Sequence, residues 1–569
     1  MGFRTANMRE LVATLLKSAF EAAQQAGALP PAEVPDPIPV EPSRHAAHGD
    51  YGSPVCLGLA RVLRRSPMAI AQTVVEYVPA VDFVARVEAA PPGFINVTLA
   101  PEWLAAQVPA ILAAGDTWGN VPIGRGERVQ VEFVSANPTG PITIGSARNA
   151  VLGDVLASVL EAAGYEVARE YYVNDAGSKV RNFGESIFAR YAGLYGMEVP
   201  FPEAGYPGAY VTDLARQAKE VFGDLYLGMD AAQAARELGS WGIDQVLGWI
   251  KRDLALLRVE FDFWRRERYF YESGLFDQMM QKLRDGGYLV EYDGAVWFRH
   301  EELEKDAVLI RSPQVVANPD ERPTYLASDI AYLWDKLVLR GFDKAVYIWG
   351  ADHHGDVPRV RAAAKALGLD PSRLIFILYQ MVTLTRGGEK VRMSKSSGEF
   401  VTLRELIDEV GADPIRFMML TRTVDVTLEF DLDLAVEQSD RNPVYYVQYA
   451  HTRIAGVLRR AAAMGWDIEE VVGDPALLRH PSELALIRKM LALPEVIALA
   501  AKTMAPHHLA AYATELASLF HAFYRDCRIV STCADDAALT RARLMLARAA
   551  KTVLGRVLGL MGVAAPERM

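Results

Sequence analysis

The sequence predicts a multidomain α/β protein whose central domain is a Rossmann-like open parallel sheet, followed by a helical C-terminal domain. Three observations support this prediction. Residues 128–134 alternate apolar and polar side chains, as a half-buried strand does. A loop rich in Pro, Gly and Thr follows at 138–143, and 147–163 then carries apolar residues at helical spacing. Two later apolar runs, 345–349 and 374–379, indicate further strands separated by helical segments.

Composition limits the class of protein. The 569 residues predict several domains, at about 150 residues each, and 51% of them are hydrophobic, enough for buried cores. No run reaches the ~18 uninterrupted apolar residues of a membrane span, and the start of the chain lacks a signal-peptide pattern. Three cysteines without C-x-x-C spacing indicate a reducing compartment. We therefore expect a cytoplasmic protein with no membrane partner. Because the net charge is −11, any binding of nucleic acid would depend on local basic faces.

The order of patterns along the chain predicts three domains. Residues 1–120 combine an amphipathic helix, a proline-rich break at 30–42 and an α+β stretch. Residues 121–412 form the Rossmann-like domain, with an insertion at about 186–300 where helical patterns interrupt the strands. Residues 413–569 are dominated by periodic helices. We therefore place domain boundaries near 120 and 412.

The strand, glycine loop and helix start at 128–147 form a candidate phosphate site. Such a junction directs free backbone N–H groups and the positive end of a helix dipole at an anion. By itself this pattern is common in α/β domains. Ligands of open parallel sheets lie beyond the carboxyl ends of the strands, so we expect Gly145, Asp352 and Lys395 to approach one crevice although they are distant in sequence.

Several ordered motifs resemble those of a known family. S-A-N-P-T-G-P-I-T-I-G-S (135–146) resembles the ATP-binding signature of class I aminoacyl-tRNA synthetases, R-M-S-K-S-S-G (392–398) their K-M-S-K-S loop, and G-A-D-H-H-G (350–355) their ribose-binding segment. R-E-Y-Y-V-N-D-A-G (169–177), T-Y-L-A-S-D-I-A-Y (324–332), N-P-V-Y-Y-V-Q-Y-A-H-T-R-I (442–454) and the terminal A-P-E-R-M resemble arginyl-tRNA synthetases in particular. The similarity covers essentially the whole chain.

The resemblance implies ATP-dependent attachment of L-arginine to tRNA(Arg) through an arginyl-adenylate. It assigns the guanidinium group to Glu267, Tyr325 and Asp329. Tyr325 and Asp329 lie four residues apart and can share a helix face, and a carboxylate is the natural bidentate partner of a guanidinium. The resemblance assigns the α-amino and carboxyl groups to Ser135 and Asn137. Without the family context, the two acids are typical of solvated surface charges, and Ser135 and Asn137 of turns.

The resemblance also implies an ATP site. The residues expected to bind ATP are Gly145, Gly350, Asp352, His353, Arg392 and Lys395, and those expected to act in catalysis are Thr143, Gly145, Ser146 and Lys395. Outside this context Lys395 is typical of an exposed loop lysine. Mg²⁺ is expected to arrive with ATP, held mostly by phosphates and water. The adjacent histidines at 353 and 354 have no acidic or cysteine ligand at metal spacing, so we expect no dedicated metal site.

The sequence departs from the family at Thr143 and Ser146, where the H-x-G-H motif has two histidines. A hydroxyl donates one hydrogen bond and carries no positive charge, so the barrier to activation is expected to rise. Three functions therefore stay open: an active synthetase, a catalytically impaired paralogue that binds tRNA, and a class I-like ligase with a small amine acceptor. Pyrophosphate exchange with and without tRNA separates the first two, and acceptor stoichiometry the third.

For the tRNA, the resemblance implies that the helical domain binds the anticodon and that the N-terminal domain touches the tRNA elbow. Tyr445, Tyr449 and Arg453 mix aromatic and basic groups, as stacking on unpaired bases requires. An aromatic run in a helix is otherwise more often part of a core. We expect the chain to act as a monomer.

Overall fold

The computed structural model describes residues 8–43, 45–316, 318, 321–391, 401–468 and 472–569. The N-terminal part is a four-stranded antiparallel sheet, in the order β1-β2-β4-β3, with helices packed against it. Its elements are α1 (Met8–Gln25), β1 (Glu41–Pro42), β2 (Tyr51–Ser53), α2 (Val55–Leu63), α3 (Pro67–Glu76), β3 (Val84–Ala90), β4 (Phe94–Leu99), α4 (Pro101–Ala106) and α5 (Val108–Ala114). The predicted helix at the start is present, and its apolar stripe is buried, as at Leu16 and Phe20.

The central part alternates strands and helices. Its elements are β5 (Arg128–Glu132), α6 (Ile144–Ala162), β6 (Glu166–Val173), α7 (Ser178–Gly193), α8 (Ala209–Phe222), α9 (Ala231–Leu256), β7 (Phe263–Arg266), α10 (Arg268–Glu272), α11 (Leu275–Asp285), β8 (Leu289–Tyr292), β9 (Ala295–Phe298), β10 (Ala307–Ile310), α12 (Tyr325–Trp334), β11 (Lys344–Gly350), α13 (Val357–Ala366), β12 (Leu374–Tyr379), β13 (Val382–Arg386), β14 (Glu389–Lys390), α14 (Leu403–Val410), α15 (Ala412–Met418), β15 (Leu428–Asp431) and α16 (Leu432–Val436).

Five of these strands form the predicted parallel sheet, in the order β12-β11-β5-β6-β7. The chain runs outward from β5 to β6 and β7, and returns to the other side of β5 with β11 and β12. The strand order therefore reverses between β5 and β11, and α6 begins directly after β5. Because all five strands are parallel, their carboxyl ends lie at one edge, where open α/β sheets bind their ligands.

Helix α6 is buried on nearly all sides, which is why its apolar residues do not follow one stripe. It ends where the sequence predicts, with Gly164 at a φ of +85° just beyond it. Gly153 lies against the ring of Phe133, and a Cβ there would come within 2.1 Å of that ring. This close approach fixes α6 against the end of β5, so the helix start has a defined position at the crevice.

The C-terminal part is a bundle of long helices: α17 (Pro443–Ala463), α18 (Pro481–Leu491), α19 (Leu493–Thr503), α20 (His508–Asp526) and α21 (Ala537–Leu560). A buried arginine joins it to the central part. Arg416 donates to the carbonyls of Met561 and Leu257, and forms an ion pair with Asp154 of α6. Among the described residues, no helix is both long and apolar enough to span a bilayer.

Candidate functional site

The N-terminus of α6 opens onto the crevice without a side-chain cap. Thr143 occupies the N-cap position, yet its hydroxyl accepts no hydrogen bond from the first turn. Ser146 is the third residue of α6 and not its N-cap. An ideal Cβ on Gly145 would meet only the Thr143 hydroxyl, at 3.7 Å. The Ser146 N–H donates to the Thr143 carbonyl at 2.9 Å, and the Gly145 N–H has no backbone partner among the described residues. The Gly145 N–H is therefore available to an anion at this helix start.

The segment that begins at Val401 is hydrogen-bonded to the start of α6. The Ile144 N–H donates to the Val401 carbonyl at 3.3 Å, and the Leu403 N–H donates to the Ile142 carbonyl at 2.9 Å. Thr143 and Thr402 form an antiparallel bridge between these bonds. Arg392 and Lys395 themselves lie outside the described residues.

A strained turn follows β5. Val134 and Ser135 have φ values of 65° and 42°, a region that β-branched residues in particular avoid. Asn149 of α6 holds the turn, because its side-chain oxygen accepts the Val134 N–H at 2.7 Å and its amide donates to the Ile348 carbonyl at 2.9 Å. Strands β5 and β11 are thus joined to α6 exactly at the reversal of strand order.

The two residues predicted to bind the α-amino and carboxyl groups lie on this turn. The Ser135 hydroxyl donates to Glu132 Oε1 at 3.3 Å and accepts the backbone N–H of Tyr172 at 3.1 Å. Its hydroxyl therefore orders the turn. Asn137 is exposed, two residues further along.

Beyond β6 and β7 lies a pocket of acids and tyrosines. Glu267, just before α10, is 4% exposed, and its Oε2 atom has no hydrogen-bond partner among the described residues. The Tyr172 hydroxyl is likewise buried without a partner there. Two unsatisfied buried oxygens that interact electrostatically are unusual in a folded protein. They indicate a pocket built for a ligand with several hydrogen-bond donors.

Charges in this pocket reinforce one another. Burial raises the pKa of Glu267 to about 7. Burial, followed by the negative charges of Glu132 and Glu267, raises the pKa of Asp329 well above its ordinary value. Burial and these acids also raise the pKa of the Tyr271 hydroxyl. The pocket therefore disfavours its own negative charge until a cation enters.

Tyr325 and Asp329 lie on α12, one turn apart. Tyr325 is 48% exposed at the start of the helix, and Lys179 Nζ stands 5.4 Å from the centre of its ring. The spacing of four residues places both side chains on one side of α12.

At the end of β11, Gly350 lies close to the side chain of Asp352. A Cβ at position 350 would come within 2.4 Å of Asp352 Oδ1. The side chains of Asp352 and His353 are 82% and 54% exposed. His353 Nδ1 is 3.2 Å from Asp356 Oδ2. Among the described residues, no group of three or more His, Cys, Asp or Glu side chains is placed to hold a metal ion.

A second candidate surface lies on α17, far from the sheet in sequence. Tyr445 and Tyr449 stack with ring centres 6.0 Å apart, and the Arg453 guanidinium lies 4.5 Å above Tyr449 and 4.9 Å above Tyr524 of α20. Tyr449 is 37% exposed. These residues line one face, and the opposite face of α17 is the buried one. His451 belongs to that buried face, where its ring contacts the Pro566 carbonyl.

The sequence did not reveal a buried charge network beneath the pocket. Lys336 Nζ is 2.5 Å from Glu132 Oε2, and Arg340 pairs with Glu170 through both carboxylate oxygens. The only local signal was spacing, since Lys336 follows Asp329 by seven residues, two helical turns. Tyr172, Tyr271 and Asn149 were also missed, because aromatic residues and amides in a strand or helix carry no sign of their tertiary neighbours.

The comparisons with known proteins agree along the whole chain. Family models match residues 7–99 (arginyl tRNA synthetase N terminal domain), 107–189 and 216–454 (tRNA synthetases class I (R), catalytic domain) and 447–569 (DALR anticodon binding domain). The chain is 46% identical to the arginine–tRNA ligase of Dehalococcoides mccartyi, over 99% of each chain, and 44% identical to that of Heliobacterium modesticaldum, over 100% of each. In fold it is similar to Thermus thermophilus arginyl-tRNA synthetase, with a TM-score of 0.75 at 23% identity, over 99% of this chain and 100% of the other.

Proposed function

Because this chain belongs to the arginyl-tRNA synthetase family, we propose that it attaches L-arginine to tRNA(Arg) in two ATP-dependent steps. The arginine carboxylate attacks the α-phosphate of ATP, which expels pyrophosphate and leaves arginyl-adenylate. A hydroxyl of the 3′-terminal ribose of the tRNA then takes the arginyl group and releases AMP.

The observation that carries the proposal is the acidic pocket. Glu267 is buried, and its negative charge adds to the desolvation that raises the pKa of Asp329. A guanidinium supplies a permanent positive charge and five N–H donors. These donors match the Glu267 oxygen and the Tyr172 hydroxyl, which have no hydrogen-bond partner in the part of the chain that the structure describes. Tyr325 stands at the mouth of the pocket and covers the aliphatic part of the substrate.

The other end of arginine faces the turn after β5 in this proposal. Asn137 is exposed and offers both an amide donor and an acceptor to the α-amino and carboxyl groups. Ser135 already uses its hydroxyl within the protein, so its contribution to substrate is through the backbone of the turn that it orders. The strain at Val134 and Ser135 fits a turn shaped for binding.

ATP lies across the reversal of strand order in this proposal. Gly145 lets the α-phosphate approach the start of α6, and Gly350 and Asp352 hold the ribose hydroxyls, with His353 beside them. Arg392 and Lys395 bring positive charge to the β- and γ-phosphates. Such a reaction depends on positioning and charge stabilisation more than on covalent chemistry by the protein.

Thr143 and Ser146 take the place of the two signature histidines. Each hydroxyl can donate one hydrogen bond to the phosphates, and the helix dipole adds a fixed positive field. Lys395 then provides the larger share of the stabilisation of the negative charge that develops on pyrophosphate. Mg²⁺, carried by ATP, neutralises phosphate charge when bound; Asp352 is the exposed acid beside the crevice.

For the tRNA, we assign the stacked face of α17, with Tyr445, Tyr449 and Arg453, to unpaired anticodon bases. Parallel rings, one of them exposed and beside a guanidinium, are suited to base stacking. Residues 1–120 reach the elbow of the tRNA, residues 121–412 hold the reaction, residues 413–569 hold the anticodon, and the chain acts as a monomer.

The deciding experiment is arginylation of total tRNA by the purified chain, with arginine-dependent pyrophosphate exchange measured with and without tRNA. Incorporation of one arginine per acceptor tRNA supports the proposal. No exchange in either condition, combined with retained tRNA binding, would instead identify a paralogue without activation. In that case, restoring histidines at 143 and 146 tests whether the rest of the site is intact.

A further inference from the structure

The buried pair of Lys336 and Glu132 lies directly under the pocket assigned to arginine. Lys336 is fully buried and follows α12 in a π-helical turn, Asp335–Leu339. Its Nζ is 2.5 Å from Glu132 Oε2 and is held between the rings of Tyr332 and Tyr347, at 3.7 and 3.8 Å from their centres. π-Helical turns are rare and concentrate at functional sites.

Glu132 connects this ion pair to the turn after β5. Its Oε1 atom accepts the Ser135 hydroxyl, whose oxygen in turn accepts the backbone N–H of Tyr172. One chain of contacts thus runs from Lys336, in the turn that directly follows the helix of Asp329, to the turn that carries Ser135 and leads to Asn137. The two ends of the substrate site are linked through a single buried carboxylate.

The positive charge of Lys336 also acts on Asp329, whose pKa it lowers against the effect of burial. The charged groups around Asp329 come from four elements: Glu132 of β5, Glu267 before α10, Lys336 after α12 and Asp356 after β11. Three of these four are acids, so Lys336 provides the opposing positive charge among them. Around Lys336 itself lie Glu132, Glu170 of β6 and Arg340.

We propose that Lys336 is a positioning residue of the arginine site. It holds Glu132 in its contact with Ser135 and contributes a positive charge near Asp329 before arginine binds. This inference rests on the proposed function. A full ion pair buried at this depth adds little net stability, so its value lies in the geometry and charge of the pocket above it. Lys336 touches neither arginine nor ATP in this assignment.

The test begins with Lys336→Met. Loss of the cation raises the pKa of Asp329, so the acid limb of the arginine kcat/KM profile should move to higher pH. Near neutral pH the KM for arginine should rise by about tenfold or more, as expected when one partner of a buried charge pair is removed, while the KM for ATP stays within about twofold. Arg543→Met is the matched control, because it breaks another buried pair, with Glu483 at 2.7 Å, in the helical bundle.

Two further variants keep the test decisive if Lys336→Met does not fold. The charges of Glu132 and Lys336 have opposite effects on the pKa of Asp329, and that of Glu132 is the larger. Glu132→Gln removes it, so the acid limb of the kcat/KM profile of this variant should move to lower pH. The double variant Glu132→Gln with Lys336→Met leaves no unpaired buried charge, and its KM for arginine should return toward that of the unmodified chain. A merely structural pair would change the melting temperature in these variants and leave the pH profile in place.

The outcomes separate the two proposals. If the unmodified chain shows no arginine-dependent exchange even with tRNA present, the proposed function fails. If it is active but Lys336→Met and Glu132→Gln keep its arginine KM and acid limb, the positioning role of Lys336 is overturned. A shift in opposite directions for the two single variants supports it.

Discussion

At the scale of single residues, the arginine pocket depends on Glu267 and Asp329, whose ionisation is disfavoured mainly by desolvation. Asp329→Asn keeps the size of the side chain and removes its charge. We expect a steep rise in the KM for arginine, corresponding to about 2–5 kcal/mol for a desolvated charge pair, with little change in the KM for ATP. Steady-state pyrophosphate exchange measures both. Asp408→Asn, on the exposed face of α14, is the control and should alter neither constant; unchanged arginine affinity in Asp329→Asn would refute the assignment.

Glu267 gives a pH signature at the same scale. Its pKa rises from 4.5 to about 7 on folding, so the folded chain binds its proton more tightly than the unfolded chain. The free energy of unfolding should therefore fall as pH rises from about 4.5 to about 7, by up to about 3 kcal/mol for this group. Arginine should bind more tightly above pH 7, where Glu267 is ionised.

Thermal melting without arginine tests this prediction. Glu267→Gln should be more stable than the unmodified chain above pH 7, and the difference should shrink as pH falls toward 4.5. The exposed Glu203→Gln is the control and should show no such pH dependence. Parallel melting curves for Glu267→Gln and the unmodified chain at all pH values would show that Glu267 is not held in a costly environment.

At the scale of an element, the start of α6 combines the Gly145 N–H with the hydroxyls of Thr143 and Ser146. Thr143→Ala together with Ser146→Ala should lower the rate of activation by at least ~10²-fold, a usual effect of removing transition-state donors. Melting should change little, because neither hydroxyl caps the helix. Exchange assays paired with melting curves measure this. A variant that melts earlier but exchanges at the normal rate would reduce both residues to a structural role.

Helix α17 offers a second test at this scale. Arg453→Ala removes the guanidinium from above Tyr449 and Tyr524, and Tyr449→Ala removes a stacking surface worth about 1–3 kcal/mol per base. Both should raise the KM for tRNA and leave the KM values for arginine and ATP unchanged. Lys502→Ala, an exposed cation on α19, is the control. Normal tRNA kinetics in both variants would place the anticodon elsewhere.

At the scale of the whole molecule, Arg416 joins three parts of the chain. It is fully buried, pairs with Asp154 and donates to carbonyls at Leu257 and Met561. Arg416→Met leaves Asp154 without this partner, and breaking a buried pair typically costs about 3–5 kcal/mol. Chemical denaturation should show this loss in the free energy of unfolding. The helical bundle and the sheet should also unfold less cooperatively with each other. Arg404→Met, in an exposed pair with Asp408, should leave the free energy of unfolding nearly unchanged.

Local patterns in the sequence determined the elements and the family. Alternation, turn residues and helical spacing predicted β5, α6, β11 and β12, and Gly164 marked the end of α6, because each of these signals depends on residues within one or two turns of chain. The four-residue spacing of Tyr325 and Asp329 placed both on one side of a helix. The ordered motifs identified the family, which the comparisons confirmed, without any knowledge of side-chain neighbours.

Only the tertiary structure decided which charges are buried and which residues they meet. Glu132 and Lys336 are separated by 204 positions in the chain, and neither has a local feature that predicts the other. The absence of a direct partner for Glu267 Oε2 among the described residues likewise depends on how β6, β7 and α12 meet. Burial and electrostatic fields are set by elements distant in sequence, whereas periodicity and turn chemistry are set by neighbours, and this difference separates what the sequence predicted from what the fold determined.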